Sequence, residues 1–400
     1  MQDGKVRVAV VGIGGRGSWA ARQLAQDDRY DLVALCDLDA GKLAHFQQQE
    51  GLEQVALAAS VEDMLRDAQP EAVVVTTHDA AHAAVAVPCL EAGAYVFVEK
   101  PLDVTAAACE ALVAADAASG IHAAGGKTTV GMNLRLAPLY ATVKRLVADG
   151  AVGRVLTIQA DEFYDGGRTY FRRWNRLREF GGGLWITKAC HDFDLLHWLA
   201  ARPPRSVHAM ARLTHYRPRA DAPLHCADCE RKLTCPDAHV AVTVQSGIKH
   251  KLPPQAPRPD LCLYNSDKDT FDHGIATVEF DDDILATYTC NVVAGFTDRR
   301  IRVSGTAGTI DGSLEGKTVL LRRRDPSSAE EVPLEVAGGG HGGGDRALFA
   351  EFHEFIRGRR GPHVRPVEAM VAVLMGLAAR RSADEGRPVA LAEVAPAAHP

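Results

Sequence analysis

The apolar run Val6–Val11 leads into Gly12-Ile13-Gly14-Gly15-Arg16-Gly17 and then a helical pattern, so a G-x-G-x-x-G spacing stands between a strand and a helix. Gly12 permits the tight turn, Gly14 lets backbone amides approach a diphosphate, and Gly17 lets the helix pack closely on the strand. The helix N-terminus, with Ile13, Gly15 and Arg16 around it, then faces the anion. A second apolar run ends in Cys36-Asp37, which puts a carboxylate where the ribose hydroxyls of a dinucleotide would lie. Asp37 is followed by Leu38 and Asp39 rather than by arginine, which favours NAD over NADP, with Arg16 the one cation weighing the other way. The triplets Gly126-Lys127-Thr128 and Gly316-Lys317-Thr318 lack the glycine five residues earlier, where Ile121 and Asp311 stand, and do not make nucleoside-triphosphate loops.

Further on, Glu99-Lys100-Pro101 closes the apolar run Tyr95–Val98, so Lys100 should emerge at the carboxyl edge of a parallel sheet. A lysine desolvated there can exchange protons with a substrate hydroxyl; its bland alternative is a solvated strand-end lysine paired with Glu99. A second set of groups lies within Gly181–Asp194, where Thr187, Lys188 and His191 precede or open a helix. Upstream, Tyr170-Phe171-Arg172-Arg173-Trp174-Asn175-Arg176 mixes aromatic faces with guanidinium groups, suited to stacking a sugar and holding anionic substituents, or equally to a packed loop. Asp272-His273, and His341 with Asp345 around the loop Gly338–Gly344, are further polar groups able to reach the pocket. Cys226, Cys229 and Cys235 fall within ten residues, with Cys262 beyond them. Four thiolates could hold a structural zinc, with His225 or His239 able to substitute, or they could be reduced loop cysteines without metal.

These groups need elements to hold them. Over residues 1–126, short apolar runs at Lys5–Val11, Asp31–Cys36, Ala72–Thr77 and Ala94–Glu99 alternate with helical stretches, the rhythm of a doubly wound parallel sheet. Ser60 with Asp63 reads as a capping box, and Gly93 as a helix end. From 127 to 400 the texture is α+β. Alternating strands at Val155–Phe163, Ile275–Phe280, Ile284–Cys290, Ile301–Ser304 and Val319–Arg323 suggest a large, mostly antiparallel sheet. Helices are expected near Pro138–Asp149, Cys190–Leu199, Arg346–Arg357 and Val367–Ala383, with an unassigned cysteine-rich excursion at about 217–262. Nine cysteines, mostly scattered singly, do not suggest a disulfide framework. A formal charge of -6 lacks the basic surplus that nucleic acid requires. No run approaches bilayer length and the first strand leaves no room for a signal peptide, so a cytoplasmic protein without a membrane partner is expected.

Gly12-x-Gly14-x-x-Gly17, Thr76 with His82, Glu99-Lys100-Pro101 and Val130-Gly131-Met132-Asn133-Leu134-Arg135, in that order, resemble the landmarks of the glucose–fructose oxidoreductase/inositol dehydrogenase/MocA (Gfo/Idh/MocA) family. The resemblance covers essentially the whole chain. It implies a nucleotide-binding Rossmann domain, with Thr76, His82, Glu99 and Lys100 among the cofactor contacts. It also implies that Lys100 is the active-site lysine, that the peptide before Pro101 is cis, and that the second domain presents the substrate. His191 matches the family histidine, whereas Thr187 stands where sugar dehydrogenases of the family usually carry aspartate, four residues earlier. Asn133, Arg135, Tyr170, Arg172, Arg173, Trp174, Thr187 and His341 are the substrate-side candidates.

The expected activity is oxidation of a sugar, sugar derivative or cyclitol, a ring hydroxyl losing its proton to Lys100, Lys188 or His191 while NAD takes the hydride. The rivals are a redox-neutral glycosidase, lyase or epimerase working by transient oxidation, and a sugar-sensing NAD-binding regulator. A homodimer or homotetramer, packed through an exposed sheet face, is the expected assembly.

Overall fold

The computed structural model describes residues 4–120, 125–239, 260–335 and 340–395. The part of the excursion at 240–259, including its prolines, and Gly338 and Gly339 lie outside the described residues, whereas its four cysteines lie within them.

Six parallel strands make the first sheet: β1 (Val6–Val11), β2 (Tyr30–Cys36), β3 (Ala56–Ala58), β4 (Ala72–Val75), β5 (Tyr95–Val98) and β6 (Thr128–Val130), in the order β3-β2-β1-β4-β5-β6. Helices α1 (Gly15–Gln26), α2 (Ala40–Glu50), α3 (Val61–Ala68), α4 (His82–Glu91) and α5 (Ala106–Ala118) connect them. The strand order reverses direction between β1 and β4, and that switch point opens a crevice at the carboxyl ends of the strands. Val8, Val10, Val73 and Val74 are fully buried because helices cover both faces, which is why the strands read as continuous apolar runs. Ser60 caps α3 by accepting from the Asp63 amide at 3.1 Å, while the Asp63 carboxylate returns to the Ser60 hydroxyl rather than to its amide.

The second sheet has nine strands. They are β7 (Val155–Asp165), β8 (Pro204–Arg212), β9 (His273–Phe280), β10 (Leu285–Asn291), β11 (Val293–Gly305), β12 (Gly308–Ser313), β13 (Thr318–Arg323), β14 (Ser328–Pro333) and β15 (Val389–Ala390), in the order β14-β13-β12-β11-β7-β10-β9-β8-β15. Its pairs are antiparallel except β7 with β10. In β9 exposed and buried residues alternate strictly, so one face packs inward and the other faces solvent. The inward face is covered by α6 (Pro138–Ala148), by α10 (Cys190–Ala200), which follows the short α7 (Gly167–Tyr170), α8 (Arg178–Gly181) and α9 (Leu184–Thr187), and by α12 (Pro366–Glu385).

The chain does not keep its second half to the second sheet. The helix α11 (Leu348–Ile356) returns to the first domain, where Phe349 stacks on Trp19, Phe352 packs against Phe97, and Phe355 meets Tyr95 edge-on. Those aromatic faces close one side of the parallel sheet, and the return carries the loop at residues 340–345 across the crevice.

Candidate functional site

The crevice is one cleft of about 680 Å³, with walls from both domains. On its first wall the glycine loop has the geometry its sequence predicts. Gly12 sits at φ +91°, and a Cβ on Gly17 would lie 1.9 Å from the Gly12 carbonyl oxygen, so α1 starts in contact with the loop. A Cβ on Gly14 or Gly15 would meet nothing, which leaves the loop's outer side open to the cleft. Thr76 shapes this loop from below, its hydroxyl donating to the Val11 and Gly12 carbonyls at 2.9 Å each. Gly17→Ala should therefore lower both stability, by about 1–3 kcal/mol for an overpacked contact, and NAD affinity. Gly14→Ala should leave stability unchanged and weaken NAD binding alone. Denaturant unfolding and fluorescence titration with NAD, run on both variants, separate the two.

Asp37 ends β2 on the same wall. Its carboxylate accepts from the Ile13 amide at 2.7 Å and the Asp39 amide at 3.0 Å, and Lys42 stands 2.5 Å away. Arg16 turns from that corner. It bonds Glu99 at 2.5 Å and Asp345 at 2.8 Å and stacks on Trp19, 3.9 Å from the ring centre. Asp345 also takes the Asn133 amide at 2.6 Å and His341 Nδ1 at 3.0 Å, and the His341 bond together with the Arg16 guanidinium holds its carboxyl well below the usual range against burial. One network thus ties the glycine loop, the end of β5 and the loop at 340–345 together.

Lys100 follows β5, its Nζ donating to the Thr187 carbonyl of the opposite wall at 2.9 Å. The Lys100-Pro101 peptide is cis, and His82 Nδ1 meets the Pro101 carbonyl at 2.7 Å. His191 opens α10 facing the same space. It is buried, both ring nitrogens lack a partner, and burial together with Lys100 and His341 pushes its pKa well below the ordinary value. It is therefore neutral and can both donate and accept. The His341 ring lies 5.5 Å from it. Tyr170, Arg173 and Trp174 complete this end, with Trp174 39% exposed.

Of the residues singled out from the sequence, the cleft gathers Gly12, Gly14, Gly15, Arg16, Asp37, Thr76, His82, Glu99, Lys100, Asn133, Tyr170, Arg173, Trp174, Thr187, His191 and His341. It does not gather Arg135, Arg172 or Lys188, and Ile13 and Gly17 lie behind the glycine loop without lining it. Arg135 is buried in ion pairs to Asp194 and Glu368, both at 2.7 Å. Arg172 bonds the Leu261 and Asp237 carbonyls of the cysteine-rich excursion. The Lys188 ammonium meets Glu162 at 2.6 Å and lies over the Tyr164 ring, on the sheet side of its backbone. His273 bonds Asp272, which caps the amides of Thr214, His215 and Tyr216, away from the cleft.

The structure adds Lys42, His78, Asp79 and Phe180 to the walls, and brings in Asn175 of the Tyr170–Arg176 segment. Thr77-His78-Asp79 could have been found, since three polar residues directly follow a buried strand at the edge where ligands bind.

Cys226, Cys229, Cys235 and Cys262 line one small cavity of about 20 Å³, and Arg172 Nη2 lies 3.9 Å from Cys226 Sγ. Among the described residues no three His, Cys, Asp or Glu side chains stand at metal-holding geometry. Nor, among the described residues, is any helix long and apolar enough to cross a membrane.

A doubly wound domain carrying a diphosphate cradle, joined to a domain that brings polar and aromatic groups against it, defines a dinucleotide-dependent oxidoreductase. Residues 6–123 match the NAD-binding Rossmann-fold model, and residues 144–391 the C-terminal α/β-domain model, of the Gfo/Idh/MocA oxidoreductases. The chain belongs to that family. It is 28% identical to the Bacillus subtilis protein YteT over 80% of this chain and 82% of that one. To inositol 2-dehydrogenase of Salmonella typhimurium it is 30% identical over 50% of this chain and 56% of that protein. An oxidoreductase domain protein from Kribbella flavida has the same fold, with a TM-score of 0.74 at 20% identity over 97% of this chain and all of that one.

Proposed function

We propose that the protein is an NAD-dependent dehydrogenase of a sugar, sugar derivative or cyclitol, oxidising a ring CH–OH. One observation carries this reading: a single cleft runs from the glycine loop and Asp37 to Lys100 and His191. NAD, when bound, supplies the hydride acceptor. Gly14 and Gly15 leave room for its diphosphate, and Asp37 for its ribose hydroxyls. NAD is favoured over NADP because Asp37 holds the ribose corner and the guanidinium of Arg16 is spent on Glu99 and Asp345. Lys100 donates toward a substrate oxygen, neutral His191 orients a neighbouring hydroxyl, and Trp174 offers a face for the ring. The inositol dehydrogenases among the relatives support a polyhydroxylated ring as substrate.

Two accompanying proposals rest on other parts of the fold. The four thiols around one cavity are the donor type that takes structural zinc, and a bound ion would have to draw them closer than they stand, pinning the excursion. On the outer sheet face Met210 (58% exposed) is paired with Ile275 (50%), which supports packing of two copies through that face.

One purified sample, prepared without added cofactor, tests the reading. Denaturation and chromatography quantify released NAD(H), elemental analysis quantifies zinc, and the native protein is screened with NAD and myo-inositol, scyllo-inositol and aldohexoses. Formation of NADH with one of these is the expected result. Failure to bind NAD overturns the reading; near-stoichiometric retained NAD with cleavage or epimerisation and no net reduction replaces it by a redox-neutral one. One zinc per chain is expected, and a metal-free sample removes that proposal.

A further inference from the structure

The cleft is lined by three carboxylates among the described residues, and two are already committed. Asp37 is taken by the Ile13 and Asp39 amides and Lys42, and Glu99 by Arg16 and the Lys100 amide. The third is Asp79, in the single turn Asp79–Ala81 that follows β4. It is buried, its carboxyl is held by the Thr187 hydroxyl from the other domain, and its Oδ2 has no partner. A buried carboxyl oxygen left unbonded is costly, more so if charged, so its persistence at this place asks for a use. The place itself is informative. β4 and β5 are neighbours on the far side of the switch point from Asp37, so Asp79 and Lys100 stand together at the half of the cleft away from the ribose corner.

We infer that Asp79 is the proton acceptor of this site, with Lys100 donating to the same substrate oxygen. The inference rests on the dehydrogenase reading above. In the oxidation the substrate O–H breaks and its proton passes to Asp79 Oδ2. The oxygen's electron pair closes the C=O bond, and the C–H pair leaves as hydride to the nicotinamide of NAD. In the reverse direction protonated Asp79 returns the proton to the oxygen. Thr187 is then a positioning residue, fixing one carboxyl oxygen and leaving the other buried and unbonded behind the cleft wall that Asp79 lines.

Burial raises the Asp79 carboxyl from 3.8 to about 7, against the opposing pull of Lys100 and the Thr187 bond. Glu99 and Asp103 push the same way as burial, and the Cys190 thiol faces it from α10. The oxidation needs the carboxylate and should rise with pH through about 7; the reduction needs the acid and should fall through the same range. The sign for stability is opposite to that of an ordinary salt-bridged carboxylate. The folded state binds this proton more tightly than the unfolded chain, so the contribution is present below about 4 and is lost as pH rises to about 7.

Asp79→Asn, assayed with NAD and the most active of myo-inositol, scyllo-inositol and D-glucose, should lose about 10²-fold or more in kcat with KM and NAD affinity nearly unchanged. The limb near pH 7 should vanish from the residual rate, and formate should restore turnover to Asp79→Ala. Retention of kcat within threefold, survival of the limb in Asp79→Asn, or lack of rescue by formate would overturn the assignment. Denaturant unfolding supplies a readout that needs no turnover: Asp79→Asn should gain stability over the parent as pH rises from 4 to 7, and a flat difference also overturns it. A parent protein that reduces no NAD would sink the dehydrogenase reading and the proton-acceptor role with it, whereas a parent that does so beside a fully active Asp79→Asn would sink the assignment alone.

Discussion

Lys100→Ala should lower kcat by about 10²–10³-fold, or roughly 3–4 kcal/mol of transition-state stabilisation, while leaving NAD bound. The reason is the position of one ammonium group. As a ring hydroxyl becomes a carbonyl, its oxygen passes through a state carrying developing negative charge, and a preorganised donor in a site screened from water stabilises that state more than the ground state. Lys100 Nζ is preorganised by the end of β5 below it and by its bond to the Thr187 carbonyl at 2.9 Å. The glycine loop and Asp37 do not depend on it, so a titration with NAD should give an affinity close to the parent's. Lys188→Ala makes the control. Its ammonium is 2.6 Å from Glu162 and does not line the cleft, so its loss should appear mainly in unfolding rather than in the rate constant. Equal losses of turnover in both variants would show that the two lysines act as one unit and would remove the special role of Lys100. A regulator without chemistry would show no turnover to lose and a ligand-dependent stability that Lys100→Ala leaves intact.

How much of this was legible in the residues varied with how local the cause was. The glycine loop, Asp37 and the Glu99-Lys100-Pro101 element could be read directly, because each depends on a strand, a turn and the helix or loop next to it. The strands β3 and β8 were not foreseen. β3 has three residues and no buried side chain, and β8 alternates buried residues with Arg205, Ser206, His208 and Met210, a pattern without a strong apolar signal. The return of α11 to the first domain was also hidden, since an aromatic face on a helix does not say which sheet it will cover. Lys188 and His191 are three residues apart and were read as alternative proton acceptors on one segment. The backbone between α9 and α10 sends one toward the sheet and the other into the cleft. Asp79 was passed over because its role needs Thr187, more than a hundred residues away. Long-range polar pairs of this kind carry no period and no spacing.

Arg299→Met should cost about 3–5 kcal/mol of stability, the largest loss expected from a single substitution outside the cleft. Arg299 is buried on β11, its Nη2 2.6 Å from Glu162 Oε1 and its Nε 3.3 Å from Asp192. Glu162 on β7 also takes Lys188, and the Tyr288 hydroxyl donates to Asp192 at 3.1 Å. The arrangement holds two carboxylates and two cations out of water, where Coulomb attraction roughly offsets the cost of desolvation as long as every partner is present. Removing one cation leaves two buried carboxylates facing Lys188 alone, and the desolvation cost of the unpaired charge is then uncompensated. The loss should depend on pH in a known direction. Arg299 and Lys188 hold the Glu162 carboxyl below its ordinary 4.5, so its contribution is present above that pH and fades as the pH falls below it. The gap between parent and Arg299→Met should therefore narrow in acid. Urea unfolding of both proteins at about pH 7.5 and about pH 4 measures it. A gap under about 1 kcal/mol at the higher pH would mean that water or a rearranged Lys188 satisfies Glu162. Because Lys188 directly follows Thr187, such a rearrangement would shift the carbonyl that Lys100 uses, and turnover would fall even though stability held.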